Sequence, residues 1–409
     1  MPRILRIINR FNLGGPTYNA AYLTKFMAPE FETMLVGGQW DETEAGSGHI
    51  LNALDINPII IPEMRRNISV SRDRAAYKRI KAIIEDFKPD IVHTHASKAG
   101  AVGRLAATDC GVPAIVHTFH GHVFHSYFGP VKTNLYKNIE RFLAKRSTRI
   151  VAISERQKEE LVLEHRICSS EKVEVIPLGF DLDRFQNDLS GKRALFRQIY
   201  GLKDEEIAIG IIGRLVPIKD HTSFLQAIDL VRQRTQKKIR VFIVGDGEER
   251  TRIENTAREL GLSFSAGPHV NGHGLASVVN DPMSVGDAPL ITFTSWLKEV
   301  DIVNAGLDIV ALSSLNEGTP VSLIEAQAAN KPIVSTRVGG IENVVLPGKT
   351  ALLSPPSAPD ILADNLMQVI ENSELRRSMA KLGWEHVSEK FHYSRLVDDM
   401  STLYRSLLS

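Results

Sequence analysis

Short apolar runs recur along the chain, and between most of them the apolar positions spread out to a helical spacing. In the first half, Ile4 to Ile8, Thr33 to Val36, Pro58 to Ile61, Lys88 to His95, Pro113 to His122, Ile150 to Ser154 and Val173 to Pro177 read as strands, some running on into loops. In the second half, Ile207 to Ile212, Val241 to Gly247, Leu290 to Trp296, Leu307 to Leu312 and Ile333 to Thr336 read the same way. The runs are short, carry β-branched residues and are punctuated by Gly, Pro, Asn or Ser, the pattern of buried strands. Helical spacing follows at Tyr22, Leu23, Phe26 and Met27, through the small-residue stretch Ala96 to Ala107, from Val131 to Thr148, from Glu248 to Leu260 and from Ala363 to Ser409. Strands alternating with helices predict parallel sheets covered on both faces, in which ligands gather at the carboxyl ends of the strands.

One strand end carries a distinctive stretch, SSLNEGTPVSLIEA from Ser313 to Ala326. Thr319 suits the N-cap of a helix and Pro320 its first position, where a missing N–H costs no bond. Val321, Leu323, Ile324 and Ala328 face a core, and Asn330 and Pro332 stop the helix. Glu317 and Glu325 bracket the corner, and the amides from Gly318 onward point out of the helix start. The corner suits an anionic or hydroxyl-rich ligand, and a sugar nucleotide has both kinds of group, hydroxyls for carboxylates and a diphosphate for amides; the alternative is an acidic turn before an ordinary amphipathic helix.

Other strand ends supply further candidates. Gly14 and Gly15 separate the first strand from its helix and permit close approach of a ligand to backbone. Five histidines, His93, His95, His117, His120 and His122, fall at the ends of two strands, with His93 and His95 turned to one side. No third ligand set with zinc-like spacing follows them. Arg214 and Lys219 follow the strand at Ile207 to Ile212, a fork and a point charge suited to a diphosphate. Gly245 and Gly247 close the strand at Val241, but Arg250 stands where a dinucleotide fingerprint needs its third glycine. Gly339 and Gly340 make another turn at a strand end.

Composition narrows the partners. A net charge of +1 over 409 residues argues against a general nucleic-acid binder, and the length predicts two domains. Two distant cysteines, Cys110 and Cys168, predict neither a disulfide framework nor a metal site, and point to a reducing compartment. The chain enters Ile4 to Ile8 at once, which predicts no secretory signal, and no run reaches the ~18 apolar residues of a membrane span. A basic segment (Arg65, Arg66, Arg72, Arg74, Lys78, Arg79, Lys81) is either a solvated helix face or a patch for anionic lipid or an acceptor phosphate. The stretch from Val131 to Thr148 carries an apolar stripe of Leu135, Ile139, Phe142 and Leu143 among Lys132, Lys137, Arg141, Lys145 and Arg146. Core packing explains such a stripe. Beside Phe124, Tyr127 and Phe128 it also fits contact with a membrane surface.

With these motifs in order, the sequence resembles the retaining glycosyltransferases of family 4 across nearly its whole length, most strongly from Leu307 to Val345. The resemblance implies a GT-B fold: two doubly wound Rossmann-like domains facing a central cleft, residues 1–182 for the acceptor, 183–388 for the nucleotide-sugar, and a helix at 389–409 packing back on the first. It implies a hexosyl or N-acetylhexosaminyl transfer from a nucleotide-diphosphate sugar, UDP by family frequency, to a hydroxyl of a lipid-linked or polysaccharide precursor, in the cytoplasm or at the inner face of its membrane. On this basis His120 sits by the transferred sugar. Arg214 and Lys219 stabilise the leaving diphosphate, and Glu317 acts with the amides of Gly318, Thr319 and Val321 around sugar and phosphate, with Pro320 among the donor-binding residues. Glu325 holds the ribose, with Gly15, Gly245 and Gly247 near the donor. Gly14, His95, Lys98, His122, Arg65 and Arg66 are expected on the acceptor or phosphate side. No metal and no cofactor are expected. A soluble small-molecule acceptor and a sugar-nucleotide epimerase are the alternatives. Two stretches depart from the family pattern: Leu178 stands where Asn is usual, and the loop from Ser263 to Pro289 is longer.

Overall fold

The computed structural model describes residues 1–12, 14–40, 46–65, 67, 69–120, 130–266, 275 and 288–409. Two compact units emerge, one formed by Met1–Phe180 with Phe391–Ser409 and the other by Asp181–Lys390.

The first unit is a parallel sheet of seven strands: β1 (Arg3–Arg10), β2 (Glu32–Gly38), β3 (Ile59–Ile60), β4 (Ile91–His95), β5 (Ala114–Phe119), β6 (Arg149–Ala152) and β7 (Val173–Val175). Their spatial order is β3-β2-β1-β4-β5-β6-β7, so the winding reverses between β1 and β4. The helices are α1 (Gly15–Phe26), α2 (Gly48–Ala53), α3 (Val70–Phe87), α4 (Ser97–Asp109), α5 (Pro130–Arg146) and α6 (Glu155–Glu159). Alternation along the strands feeds two cores. Leu5, Ile7, Val92 and Ile115 pack against α3 and α4 through Ala76, Ile80, Ile84, Ala99 and Ala106. Ile4, Ile91 and Val116 pack on the opposite face against Leu23 and Met27 and against Leu396, Met400 and Tyr404 near the C-terminus.

The second unit repeats the plan. Its strands are β8 (Ile207–Ile212), β9 (Ile239–Val244), β10 (Phe264–Ala266), β11 (Ile291–Ser295), β12 (Ile309–Leu312), β13 (Ile333–Thr336) and β14 (Ala351–Ser354). The order β10-β11-β9-β8-β12-β13-β14 puts the reversal between β8 and β12. The helices are α7 (Leu189–Ile199), α8 (His221–Arg234), α9 (Arg250–Glu259), α10 (Val300–Gly306), α11 (Val321–Ala328), α12 (Ile341–Val344), α13 (Pro359–Glu371) and α14 (Ser373–Phe391). The central strands β8, β9, β12 and β13 are buried throughout, as their continuous apolar runs require: Ile209, Ile211, Val241, Ile243, Ile309 and Ala311 share one core with Phe224, Leu225, Leu362 and Leu366.

The chain returns to the first unit as α15 (Tyr393–Leu408). Phe180 N–H donates to the Phe391 carbonyl at 2.8 Å and Tyr393 N–H to the Phe180 carbonyl at 3.0 Å, joining the two crossings. Gly179 is dictated by this junction, because a Cβ there would lie 2.6 Å from Leu396 Cβ and 2.9 Å from Tyr393 Cα. Inside the unit, Asn19 on α1 accepts from Gly179 N–H at 3.0 Å and donates to its carbonyl at 3.3 Å.

Candidate active site

In the second unit the predicted residues collect at the reversal point, where open α/β sheets bind ligands. The loops leaving β8 and β12 are stitched together. Leu315 N–H donates to the Ile218 carbonyl at 2.8 Å, and Ser313 Oγ to the Lys219 carbonyl at 2.8 Å. These bonds bring Lys219 Nζ within 2.5 Å of Glu317 Oε1, and Ser314 Oγ donates to the same carboxylate oxygen at 2.6 Å. Lys219 and Glu317, expected on different parts of a ligand, are thus each other's partner, with side chains 18% and 10% exposed. Arg214 is exposed beside them and makes no ion pair or side-chain hydrogen bond among the described residues. A guanidinium left open next to a compensated lysine is a ready anion contact.

Glycines set the closeness of these loops. A Cβ on Gly245, whose φ is +134°, would lie 1.9 Å from the Gly213 carbonyl oxygen, and one on Gly247 would lie 2.3 Å from that of Leu215. Both are therefore required for loop packing, whatever they do for a ligand. Gly339 and Gly340 do the same for the acidic corner: Gly340 N–H donates to the Glu317 carbonyl at 2.9 Å, and a Cβ on Gly340 would lie 1.7 Å from the Gly318 oxygen. Neither was among the expected site residues, although the glycine pair at a strand end was visible. A Cβ on Gly318 would meet nothing within 4 Å, so the space before it is open.

Helix α11 starts one residue later than expected. Pro320, not Thr319, is the N-cap, and no side chain caps the helix. An extended Pro320 has no hydroxyl to offer; Leu323 and Ile324 N–H turn back to the Pro320 carbonyl, so the amides of Val321 and Ser322 keep their hydrogens for something else. Asn330 ends the helix as expected, in the left-handed region at φ +57°. Glu325 lies on α11 with Arg184 Nη2 3.5 Å from its Oε1. Burial pushes its carboxyl up to about 7, with Arg184 pulling the other way. Arg250, the residue in the third-glycine position, donates to Ser295 Oγ at 2.8 Å and to Glu254 at 2.9 Å, holding the loop after β9 to β11.

In the first unit, Gly14 caps α1 and Gly15 and Pro16 open it, next to the end of β1. Proline is tolerated there because that N–H has no intrahelical partner. A Cβ on Gly15 would meet only Leu178 Cδ1, at 3.7 Å, so packing alone does not demand this glycine. Across the reversal, Arg6 is in register with His93 and Ile8 with His95, placing the two histidines on the α1 and α15 face. His93 Nδ1 is 2.5 Å from Tyr404 Oη and its Nε2 2.7 Å from Thr118 Oγ1. The His95 ring lies against His93, tilted by 32° with centroids 4.2 Å apart, and His95 Nδ1 is 3.0 Å from His120 Nε2. His117 faces the other way, its Nδ1 2.8 Å from Thr94 Oγ1. Burial holds His93, His95 and His117 well below the usual imidazole range and lowers His120 to about 4, so all four are neutral.

Lys98 is not available for a phosphate. Its ammonium bonds the carbonyls of Arg65 and Asn67 at 2.9 and 2.8 Å and pairs with Asp73 Oδ1 at 2.6 Å. It is a clamp between α4 and the segment before α3, and three partners use its three donors. Arg65 Nε bonds the nearby Pro62 carbonyl at 3.1 Å. Arg66, His122, Phe124, Tyr127 and Phe128, and nearly all of the long loop before β11, lie outside the described residues.

The stripe on α5 is split. Leu143 is buried, whereas Leu135, Ile139 and Phe142 are 59%, 39% and 47% exposed. Beneath them Arg104 pairs with Glu140 at 2.7 Å. Ala101, Leu105, Asn138, Ile139, Phe142 and Leu143 line a shallow groove of about 380 Å³ between α4 and α5. No helix among the described residues is long and apolar enough to cross a membrane.

Two parallel sheets, each gathering polar residues where the strand order reverses, make the fold GT-B. Solved structures share the fold: Anabaena Alr3699/HepE in complex with UDP (TM-score 0.76, 17% identity, 99% of this chain and 100% of that one) and a glycosyltransferase from Rickettsia africae (TM-score 0.77, 18% identity, 100% and 99%). Residues 14–184 match Glycosyltransferase Family 4 and residues 206–372 match Glycosyl transferases group 1, and the chain belongs to this family. Among its relatives is the UDP-Gal:alpha-D-GlcNAc-diphosphoundecaprenol alpha-1,3-galactosyltransferase of Escherichia coli, 28% identical over 88% of this chain and 86% of that protein. Another is the D-inositol 3-phosphate glycosyltransferase of Saccharomonospora viridis, 27% identical over 81% and 73%.

Proposed function

We propose that the protein is a retaining transferase that moves a hexosyl or N-acetylhexosaminyl group from a UDP-sugar to a hydroxyl of a lipid-linked or polysaccharide precursor. The observation that carries this reading is the Lys219–Glu317 pair, with an exposed Arg214 on the loop that carries Lys219 and a helix without a side-chain cap following Glu317. As the bond from C1 to the diphosphate oxygen breaks, negative charge grows on the leaving group. Arg214 and Lys219 meet it without a metal ion, and the amides after Thr319 take part of it. Glu325 accepts from the ribose hydroxyls. Glu317 Oε1, held by Lys219 and Ser314, is a poor nucleophile, which supports attack by the acceptor oxygen on the face the diphosphate leaves. His120 lies beside the sugar, with Gly14 and Gly15 giving room for the ligand.

The acceptor assignment rests on the Escherichia coli relative, whose name specifies a diphosphoundecaprenol-linked acceptor, and on the exposed α5 face. Exposed Arg72, Arg74 and Lys78 on α3 share that side of the sheet, since α3 and α4 pack on one core and α4 and α5 pack together. Apolar side chains flanked by cations suit the surface of an anionic bilayer. A thermal-shift screen of nucleotide-sugars, followed by UDP release with a diphospholipid-linked sugar, with inositol phosphate or with no acceptor, tests the assignment. UDP release that needs the lipid-linked sugar supports it. Release with inositol phosphate identifies a soluble acceptor instead, and an altered free sugar without acceptor identifies an epimerase.

A further inference from the structure

The histidine stack at the end of β4 has a direction. Arg6 is fully buried, and among the described residues no carboxylate acts on it; its guanidinium lies beside the Tyr404 hydroxyl and holds it down against the upward push of burial. Arg6 Nη2 donates to Met27 Sδ at 2.7 Å and Nε and Nη1 have no hydrogen-bond partner among the described residues, so the guanidinium acts on Tyr404 through its charge, which favours turning the lone pairs of Oη toward it and the proton away. The phenol proton then goes to His93 Nδ1, 2.5 Å away. A neutral His93 accepting at Nδ1 carries its own proton on Nε2 and donates it to Thr118 Oγ1 at 2.7 Å. This arrangement fixes His93.

His95 and His120, both neutral, share one bond of 3.0 Å between His95 Nδ1 and His120 Nε2, and one of them must donate. Each ring leaves one nitrogen without a partner: His95 Nε2 and His120 Nδ1. If His120 donates, the unpartnered N–H falls on His95, fully buried in the field of Arg6. If His95 donates, the unpartnered N–H falls on His120 Nδ1, buried as well, but on a ring that is only partly buried and on which Arg6 does not act, and His95 buries only a lone pair. An orphaned buried N–H is costly in either ring, and the cation near His95 makes it costlier there.

We propose that His95 is a positioning residue that holds His120 as its Nδ1–H tautomer, so that His120 meets its ligand as a hydrogen-bond donor and not as a base. This deepens the proposed function and rests on His120 lying beside the sugar.

The test uses the full chain with 15N-labelled histidine, with long-range proton–nitrogen correlation to read the tautomer of His120 and His120→Gln to assign its signals. The wild type and His95→Asn, whose amide nitrogen reaches the Nδ1 position, show His120 protonated at Nδ1. His95→Ala shows the Nε2–H form, and its kcat falls by about 100-fold with the donor KM nearly unchanged, the size of loss expected when one placed donor is removed. His95→Asn stays within about tenfold of wild type on the same scale. If His95→Ala does not fold, His95→Gln replaces it, since its amide reaches the Nε2 position and gives no rescue. A wild-type His120 protonated at Nε2, or an alanine variant with its tautomer unchanged, overturns the proposal. Tautomers as expected together with full turnover of His120→Gln leave the positioning intact and overturn only the placement beside the sugar.

Discussion

Lys219 Nζ and Glu317 Oε1 stand 2.5 Å apart although 98 residues separate them in the chain. The pair closes the loops at the reversal point of the second sheet, and it sets the charge any donor diphosphate meets. Lys219→Ala removes the point charge and leaves Glu317 with Ser314 alone. Turnover is expected to fall by about 100- to 1,000-fold while the circular dichroism spectrum is retained. Near-normal UDP release from that variant would count decisively against the assigned role. Lys219→Arg is not a rescue, because a planar fork does not reproduce a compact ammonium against one carboxylate oxygen.

Glu325 gives a pH signature. Its carboxyl is raised from 4.5 to about 7 by burial. Between those values the unfolded chain has lost the proton and the folded chain has kept it, so stability falls as pH rises through this window. The cost is absent below the lower value, and it levels off above the upper one at about 3 kcal/mol. Thermal unfolding of the ligand-free protein at pH 5 and pH 8 checks it. Glu325→Gln is expected to raise the melting temperature relative to wild type at pH 8 but not at pH 5. Equal differences at both pH values would contradict the shift.

Gly340→Ala places a methyl 1.7 Å from the Gly318 oxygen, a clash with backbone that no rotamer relieves. Forcing the turn away costs about 1–3 kcal/mol. The expected result is a melting temperature lower by several degrees, together with weaker UDP binding, because the displaced residues carry the acidic corner. Gly318→Ala, with nothing within 4 Å of its Cβ, serves as the control and keeps wild-type stability.

The exposed face of α5 predicts lipid binding. Co-sedimentation with anionic vesicles is expected for the wild type and is lost in the triple variant Leu135→Ser, Ile139→Ser, Phe142→Ser, whose melting temperature stays close to wild type because these side chains contribute little to the core. Equal and negligible binding of the wild type to anionic and neutral vesicles rules the membrane contact out.

Much of the second sheet was legible because its strands are continuous apolar runs: Ile207–Ile212 and Ile333–Thr336 begin and end where the pattern says. The shared side of His93 and His95 followed from the two-residue period of a strand. Other features were not local. Thr319 has the better capping side chain, yet the backbone at Pro320 starts α11. Lys98 looks like a free cation until the segment at Arg65 to Asp73 folds over it. Asn19 holding Gly179 and Tyr404 holding His93 span 160 and 311 residues, distances at which spacing carries no signal. The α5 stripe showed amphipathicity, but not which part of it the sheet would cover.

The junction at Phe180 and Phe391 has a consequence for synthesis. The unit begun by residues 1–180 lacks α15 until residues 181–390 have been made, so Arg6 and His93 wait for Tyr404 through that interval. A nascent chain cut short before that helix carries the histidines without the phenol beside them, so the histidine cluster is complete only once residues 391–409 have docked.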